Sequence, residues 1–336
     1  MIEVTVIVPT HNRRQLLALA INAILRQRDV SIELVVVDDG STDGTGPWLD
    51  HVAAKDSRIK VVHHAQPRFI SGARNAGIAH ASGRWVAFCD DDDLWAPDKL
   101  ARQLGALRAG SARWSCTGIV DIDDRLGIIG YRHVRSGEVL ADLLASNGVT
   151  TSSVVVELDL LRKVGGFDPA LKGSEDWDMW IRLAQHSPVA AVDRPMVAYR
   201  VGTQALSMNV DHMRAGRVVI AERYAALAAS RDVRLNEAEH ERYLAKQLLR
   251  AGARWQASSV FTSLAFRHRR WRELPRAAAA IIAPRLTDQF GRMRATAAVP
   301  ASWRSEAEDW LQPIRDRSHS DVYGSHAWAG AAEMGA

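Results

Sequence analysis

Trp85-Val86-Ala87-Phe88-Cys89-Asp90-Asp91-Asp92-Asp93-Leu94-Trp95-Ala96-Pro97 sets four consecutive carboxylates directly after a short apolar run. With the turn pair Ser82-Gly83 before it, the segment Arg84 to Phe88 reads as a buried strand of a parallel sheet. Ligands of open α/β sheets bind outside the carboxyl ends of the strands, where these aspartates fall. Adjacent carboxylates repel and raise one another's pKa unless a cation or hydrogen bonds compensate them. All-oxygen ligation of this kind suits a hard divalent ion, Mg²⁺ or Mn²⁺, with positions left open for substrate phosphates. Taken alone, the run also reads as a solvated acidic loop or as the cap of a helix starting near Pro97.

The first forty residues repeat the arrangement. Val4-Thr5-Val6-Ile7-Val8 is a β-branched run ending at Pro9-Thr10-His11-Asn12, and Leu16, Leu17, Ala20, Ile21, Ile24 and Leu25 then follow helical spacing. Leu34-Val35-Val36-Val37 is a second such run, closed by Asp38-Asp39-Gly40-Ser41-Thr42-Asp43-Gly44-Thr45. Two strands joined by a helix make a right-handed βαβ unit, so the Asp38-Asp39 pair and the Asp90 to Asp93 run are expected on one edge of a sheet. Ser41, Thr42 and Asp43 also suit an ordinary turn and helix cap.

Four blocks in this order resemble the family 2 glycosyltransferases of the GT-A fold: Val4 to Arg13, Val35 to Thr45, Ala73-Arg74-Asn75-Ala76-Gly77, and Phe88 to Trp95. The resemblance covers about the first two hundred residues. It implies an α/β fold of GT-A type, with a Rossmann-like mixed, mostly parallel sheet flanked by helices. It also implies an inverting transfer of a sugar from a nucleotide-diphosphate sugar to an acceptor hydroxyl, in polysaccharide, glycolipid or glycoconjugate synthesis. By the same resemblance Pro9, Thr10, Asp38 and Asp39 surround the nucleotide, and Arg74 is a base or phosphate contact. Asp90 and Asp92 take the two acidic positions of the Asp-x-Asp motif, with Asp92 the direct metal ligand and Asp91 facing the donor ribose or sugar. The implied cofactor is Mn²⁺ or Mg²⁺.

Further on, Gly165-Gly166-Phe167-Asp168 precedes Ser174-Glu175-Asp176-Trp177-Asp178-Met179-Trp180, which reads as a helix start with Ser174 as N-cap. Carboxylates in a first helical turn are favoured by the helix dipole in any case. The segment resembles the family's acceptor side, which implies Asp176 as general base, Glu175 as its support or the alternative base, and Trp177 or Trp180 as acceptor wall. At helical spacing both tryptophans also read as core. Ala198-Tyr199-Arg200-Val201-Gly202 is similar to the family segment Tyr-Arg-x-His, with Gly202 in place of the histidine; either a nearby group substitutes, with Arg200 and His212 as the candidates, or the chain manages without one. Two other classes remain to be separated: a catalytically silent nucleotide-sugar binding module, and a nucleotidyltransferase. The latter lacks its expected Gly-rich, Arg/Lys-bearing loop after the first strand.

With 336 residues, 47% of them hydrophobic, the chain has material for a large core and an appended helical region. The expected organisation is a catalytic domain over 1–205, with a nucleotide-binding half 1–110 and an acceptor half 111–205. A helical extension over 206–303 and a flexible tail over 304–336 follow. Two cysteines, no apolar run of membrane-spanning length and an immediate first strand predict a cytoplasmic protein without a signal peptide. From Arg200 onward there are 21 Lys/Arg against 14 Asp/Glu, so the basic excess lies in the C-terminal part. Arg267-His268-Arg269-Arg270-Trp271-Arg272 beside the apolar 277–283 reads as a peripheral contact with the inner face of an anionic membrane, or as the solvated face of a packed helix. No nucleic-acid recognition motif occurs. The acceptor expected is a saccharide, a lipid-linked group or a small molecule.

Overall fold

The computed structural model describes residues 1–201 and 210–321. Its elements in chain order begin β1 (Val4–Thr10), α1 (Arg14–Leu25), β2 (Ile32–Asp38), α2 (Thr45–Ala53), β3 (Ile59–His63), α3 (Phe69–His80), β4 (Trp85–Phe88), β5 (Leu94–Trp95) and α4 (Lys99–Arg108). They continue β6 (Trp114–Ile122), β7 (Ile128–Arg132), α5 (Leu140–Ala145), β8 (Val155–Glu157), α6 (Leu158–Lys163), α7 (Glu175–Ala184) and β9 (Val189–Arg200). The C-terminal helices are α8 (Val210–Arg223), α9 (Ala225–Ser230), α10 (Glu237–Arg250), α11 (Arg254–Arg267), α12 (Leu274–Ile282), α13 (Pro284–Ala297) and α14 (Ala301–Asp321).

The strands form one mixed sheet in the order β3-β2-β1-β4-β8-β6-β9-β5, with β7 added on β6. Strands β3, β2, β1 and β4 are mutually parallel, and the long β6–β9 pairing is parallel too. The β-branched runs of β1 and β2 are buried along their whole length, as parallel strands covered on both faces must be. Their side chains divide by the two-residue period. Val4, Val6 and Val8 face α1, α2 and α4, whereas Ile7 joins Val86, Phe88 and the α5–α7 layer. Between β1 and β4 the strand order reverses, and the crevice beyond the strand ends opens at that switch point.

Beyond β9, Ile220 of α8 and Tyr224 just after it enter the same core as α7, while α10, α11 and α12 build a core of their own around Leu244, Phe261 and Leu264. The flexible tail expected from residue 304 is not what the structure shows for 304–321. Those residues continue a helix from Ala301, and Trp303, Ala307, Leu311 and Ile314 pack on Leu94, Val120, Ile122 and Ala198 of the sheet. Gly118 in β6 makes room for this contact, because a Cβ there would lie 2.3 Å from the Trp303 ring. Among the described residues, no helix is long and apolar enough to cross a membrane.

Candidate active site

Three loops meet at the switch point. Asn12, in the left-handed region at φ 55°, donates nothing to β1's ladder but receives the Thr42 amide on its Oδ1 at 2.7 Å, and its own amide donates to Ser41 Oγ at 2.9 Å. The loops after β1 and β2 are thereby laced together. Asp38 caps its own turn, accepting the Ser41 amide at 3.0 Å. Asp39 is buried, and its Oδ1 accepts from His64 Nδ1 at 2.7 Å and from the Arg68 amide at 2.8 Å. This loop is fixed before any ligand arrives.

The aspartate run alternates in direction. Asp91 and Asp93 turn inward, whereas Asp90 and Asp92 border the crevice with 29% and 14% of their side chains exposed. Asp91 was expected at the donor ribose or sugar. Instead its two oxygens are committed to Thr10 Oγ1 at 2.7 Å and Arg13 at 3.1 Å, which ties β4's end to β1's. Burial pushes Asp91 up to about 7 despite the opposing charge of Arg13. Asp93 is fully buried; one oxygen takes the Arg200 amide at 2.9 Å and the other has no partner among the described residues, so burial raises its pKa well above the usual range. The Arg200 side chain is spent on the backbone carbonyls of Asp92, Asp123 and Asp124, a brace for the loop. Asp92 is raised by burial and then by the Asp90 charge, with Arg13 and Arg200 pulling it down. Repulsion between these two outward carboxylates is what a cation placed against both would relieve. Among the described residues no group of three or more His, Cys, Asp or Glu forms a metal cage. Asp90 and Asp92, both bordering the crevice, are hard oxygen donors of the kind that would suit a Mg²⁺- or Mn²⁺-like ion completed by phosphate and water.

Arg74 joins the two sides of the crevice. It is buried rather than a surface ion pair, and its guanidinium donates to Asp90 Oδ1 at 2.8 Å and to Glu175 Oε1 at 3.0 Å, with its face 5.1 Å from the Phe167 ring centroid. Asn75 beside it exchanges two hydrogen bonds with the Phe167 backbone, at 2.7 and 2.8 Å, and so clamps the Gly165-Gly166-Phe167 turn to α3. Gly77 lets α3 press on β1, since a Cβ there would lie 2.4 Å from Ile7. The Ala73 to Gly77 block thus sets α7 against the aspartates.

At the start of α7, Ser174 occupies the cap position in the left-handed conformation, φ 61°, and makes no side-chain cap bond, contrary to the expected N-cap. Asp176 Oδ1 takes the Trp177 amide at 2.7 Å, and Oδ2 takes Asn147 Nδ2 at 3.2 Å. Burial, then the neighbouring Glu175 charge, pushes Asp176 up to about 7 against the pull of Arg74. Neither tryptophan can be an acceptor wall. Trp177 is buried with its Nε1 on the Leu143 carbonyl at 2.5 Å, and Trp180 is fully buried and stacked on Trp114. Helical spacing placed both on α7's inner face, where packing claimed them. Gly202 lies outside the described residues, and His212 has its backbone against Gly173. Arg13, His64 and Asn147 had no assigned role in the sequence reading. A run of four carboxylates demands a nearby cation, a signal that pointed to Arg13; nothing local marks the other two.

The family model for glycosyl transferase family 2 matches residues 5–149. Over that stretch the chain is similar to the family 2 glycosyltransferases. It is 28% identical over 208 residues to the UDP-Glc:alpha-D-GlcNAc-diphosphoundecaprenol beta-1,3-glucosyltransferase WfgD of Escherichia coli, covering 61% of this chain and 80% of that one. The putative teichuronic acid biosynthesis glycosyltransferase TuaG of Bacillus subtilis is also 28% identical over 208 residues, with 61% and 82% covered. An uncharacterized glycosyltransferase of Rickettsia conorii is 29% identical over 201 residues, 59% of this chain, and the chain spans only 33% of that protein's length. Among solved structures, S. aureus TarS 1-349 with UDP-GlcNAc shares the fold at TM-score 0.54 and 16% identity, covering 95% of this chain and 92% of that one. The mannosyltransferase PcManGT from Pyrobaculum calidifontis, with GDP-Man and Mn²⁺, does so at TM-score 0.51 and 22% identity, covering 96% and 88%.

Proposed function

We propose that this protein is an inverting, metal-dependent glycosyltransferase that moves a sugar from a nucleotide-diphosphate sugar to an acceptor hydroxyl. The observation that carries the reading is the single buried Arg74 spanning Asp90 on one side of the crevice and Glu175, next to Asp176, on the other. The nucleotide lies along Pro9, Thr10, Asp38 and Asp39, and the diphosphate lies toward Asp90, Asp92 and Arg74. A divalent ion on Asp92 and Asp90 would offset the charge of the departing diphosphate. Asp176 takes the proton of the acceptor hydroxyl as its oxygen bonds to the anomeric carbon, and the bond from that carbon to the diphosphate oxygen breaks on the opposite face, which inverts the centre. Asn147 and the Trp177 amide orient that carboxylate.

Support for the donor class comes from the fold shared with proteins solved holding UDP-GlcNAc or GDP-Man and Mn²⁺. Support for a surface-polysaccharide or glycolipid role comes from the names of WfgD and TuaG. The test is a melting-temperature panel of nucleotide sugars with and without Mn²⁺, followed by transfer assays with the donor that binds. A bound ligand raises the melting temperature by mass action. Binding without transfer to any of a broad set of hydroxyl acceptors would favour a silent binding module, and release of pyrophosphate from a nucleoside triphosphate and sugar phosphate would favour a nucleotidyltransferase.

A further inference from the structure

The C-terminal helices leave an apolar ridge uncovered. In α13, which packs on α10, α12 and β7, Leu286, Phe290 and Met293 are 52%, 63% and 59% exposed, and Ile282 at the end of α12 is 82% exposed. At 100° per residue the three α13 side chains fall within an arc of about 60°. Arg285 and Arg294 flank that arc at roughly a quarter turn on either side, while Asp288 lies on the opposite face, turned toward Arg250 and Arg292. None of α13's residues is buried, so the ridge is not the edge of a core.

The charge around it is one-sided. From Arg254 to Arg294 the chain carries nine arginines against only Glu273 and Asp288. Among the described residues, Arg269, Arg270, Arg272, Arg285 and Arg294 make no ion pair. The last turn of α11 and the segment after it repeat the pattern, since Phe266 and Trp271 form an exposed edge-to-face pair 5.4 Å apart among those arginines. An apolar ridge flanked by unpaired arginines along one exposed helix is the arrangement of a helix lying in the plane of an anionic bilayer surface. A protein partner would need acidic groups on both sides of a narrow ridge; lipid headgroups supply them everywhere.

We propose that α12 and α13 dock the protein on an anionic membrane, with Ile282, Leu286, Phe290 and Met293 entering the headgroup boundary and Arg285 and Arg294 contacting lipid phosphates. The surface is separate from the Arg74 crevice and does not depend on the sugar-transfer reading. Flotation of the full chain with phosphatidylcholine vesicles, with and without about a third phosphatidylglycerol, tests it directly. Binding is expected to the anionic vesicles only and to weaken as salt rises from 0.1 to 0.5 M, by the screening of surface charge. Leu286→Glu with Phe290→Glu is expected to lower the bound-to-free ratio at least tenfold at an unchanged melting temperature, and Arg285→Gln with Arg294→Gln severalfold. Equal binding to both vesicle types, undiminished binding by the double glutamate variant, or no vesicle binding together with a dimer that this variant dissociates would overturn the proposal, the last in favour of an interface between copies.

Discussion

Replacing Glu175 by Gln isolates how the proposed base is tuned. Asp176 sits near 7 because burial and the Glu175 charge raise it and Arg74 lowers it. The substitution removes a like charge at nearly constant size, and the neutral amide oxygen it leaves competes less for the Arg74 charge, so both effects favour ionised Asp176. For charges about 6 Å apart at an effective dielectric near 20, Coulomb's law gives roughly 3 kcal/mol, or about two pH units; solvent in the open crevice reduces this to about one. A base acts deprotonated, so transfer by the unmodified protein should rise through about pH 7, and that limb should move toward about pH 6 in Glu175→Gln. At pH 6 the ionised fraction grows from about a tenth to about a half, so the rate relative to each enzyme's own plateau should rise about fivefold. The assay is release of nucleoside diphosphate at saturating donor and acceptor from pH 5 to 9. Asp176→Asn should abolish the limb and slow transfer by roughly a hundredfold or more while donor affinity holds. An unmoved limb in Glu175→Gln refutes the electrostatic argument, and loss of transfer there with an active Asp176→Asn makes Glu175 the base.

Asp92→Asn should remove the dependence of nucleoside-diphosphate affinity on Mn²⁺, measured by calorimetry; metal-dependent binding that persists would take the ion away from Asp92. Asp176→Asn should also stabilise the fold at alkaline pH. A carboxyl raised to about 7 on folding contributes stability that is complete below its unfolded pKa near 4 and lost as pH climbs through 7, so at pH 8 the variant should exceed the unmodified protein by on the order of 2 kcal/mol, with the gap shrinking to about a third of that at pH 5 and closing below pH 4. Equal differences at the two pH values would show that the carboxyl is not strained. Trp303→Ala should cost about 3 to 5 kcal/mol in urea unfolding, because the ring fills the space above Gly118. A loss below about 1 kcal/mol would mean that α14 is not part of the catalytic core.

The strand ends were legible because parallel strands buried on both faces are written as unbroken β-branched runs, and Val4 to Val8 and Leu34 to Val37 carry that signature. The Asp90 to Asp93 run needed only its place after such a strand. What remained hidden was how the run divides, since Asp91 turning to Thr10 and Arg13 is settled by contacts 81 and 78 residues apart. The Trp177 and Trp180 roles were undecided for a related reason: spacing gives a helix face but not what covers it. Helix α14 was missed because its charged residues dominate the composition, although Trp303, Ala307, Leu311 and Ile314 recur at helical intervals.

The seat of Trp303 on Gly118 also orders events during synthesis. Val120, Ile122 and Ala198 belong to strands complete by Arg200, yet their cover arrives only with the stretch from Trp303 to Ile314. At roughly 5 to 20 residues per second, that face of the sheet waits about 6 to 20 seconds on the ribosome without its lid. A β surface bare for that long is open to misassembly, so the yield of folded protein in a cell should respond to translation speed across residues 201–314 and to chaperones that hold apolar strands.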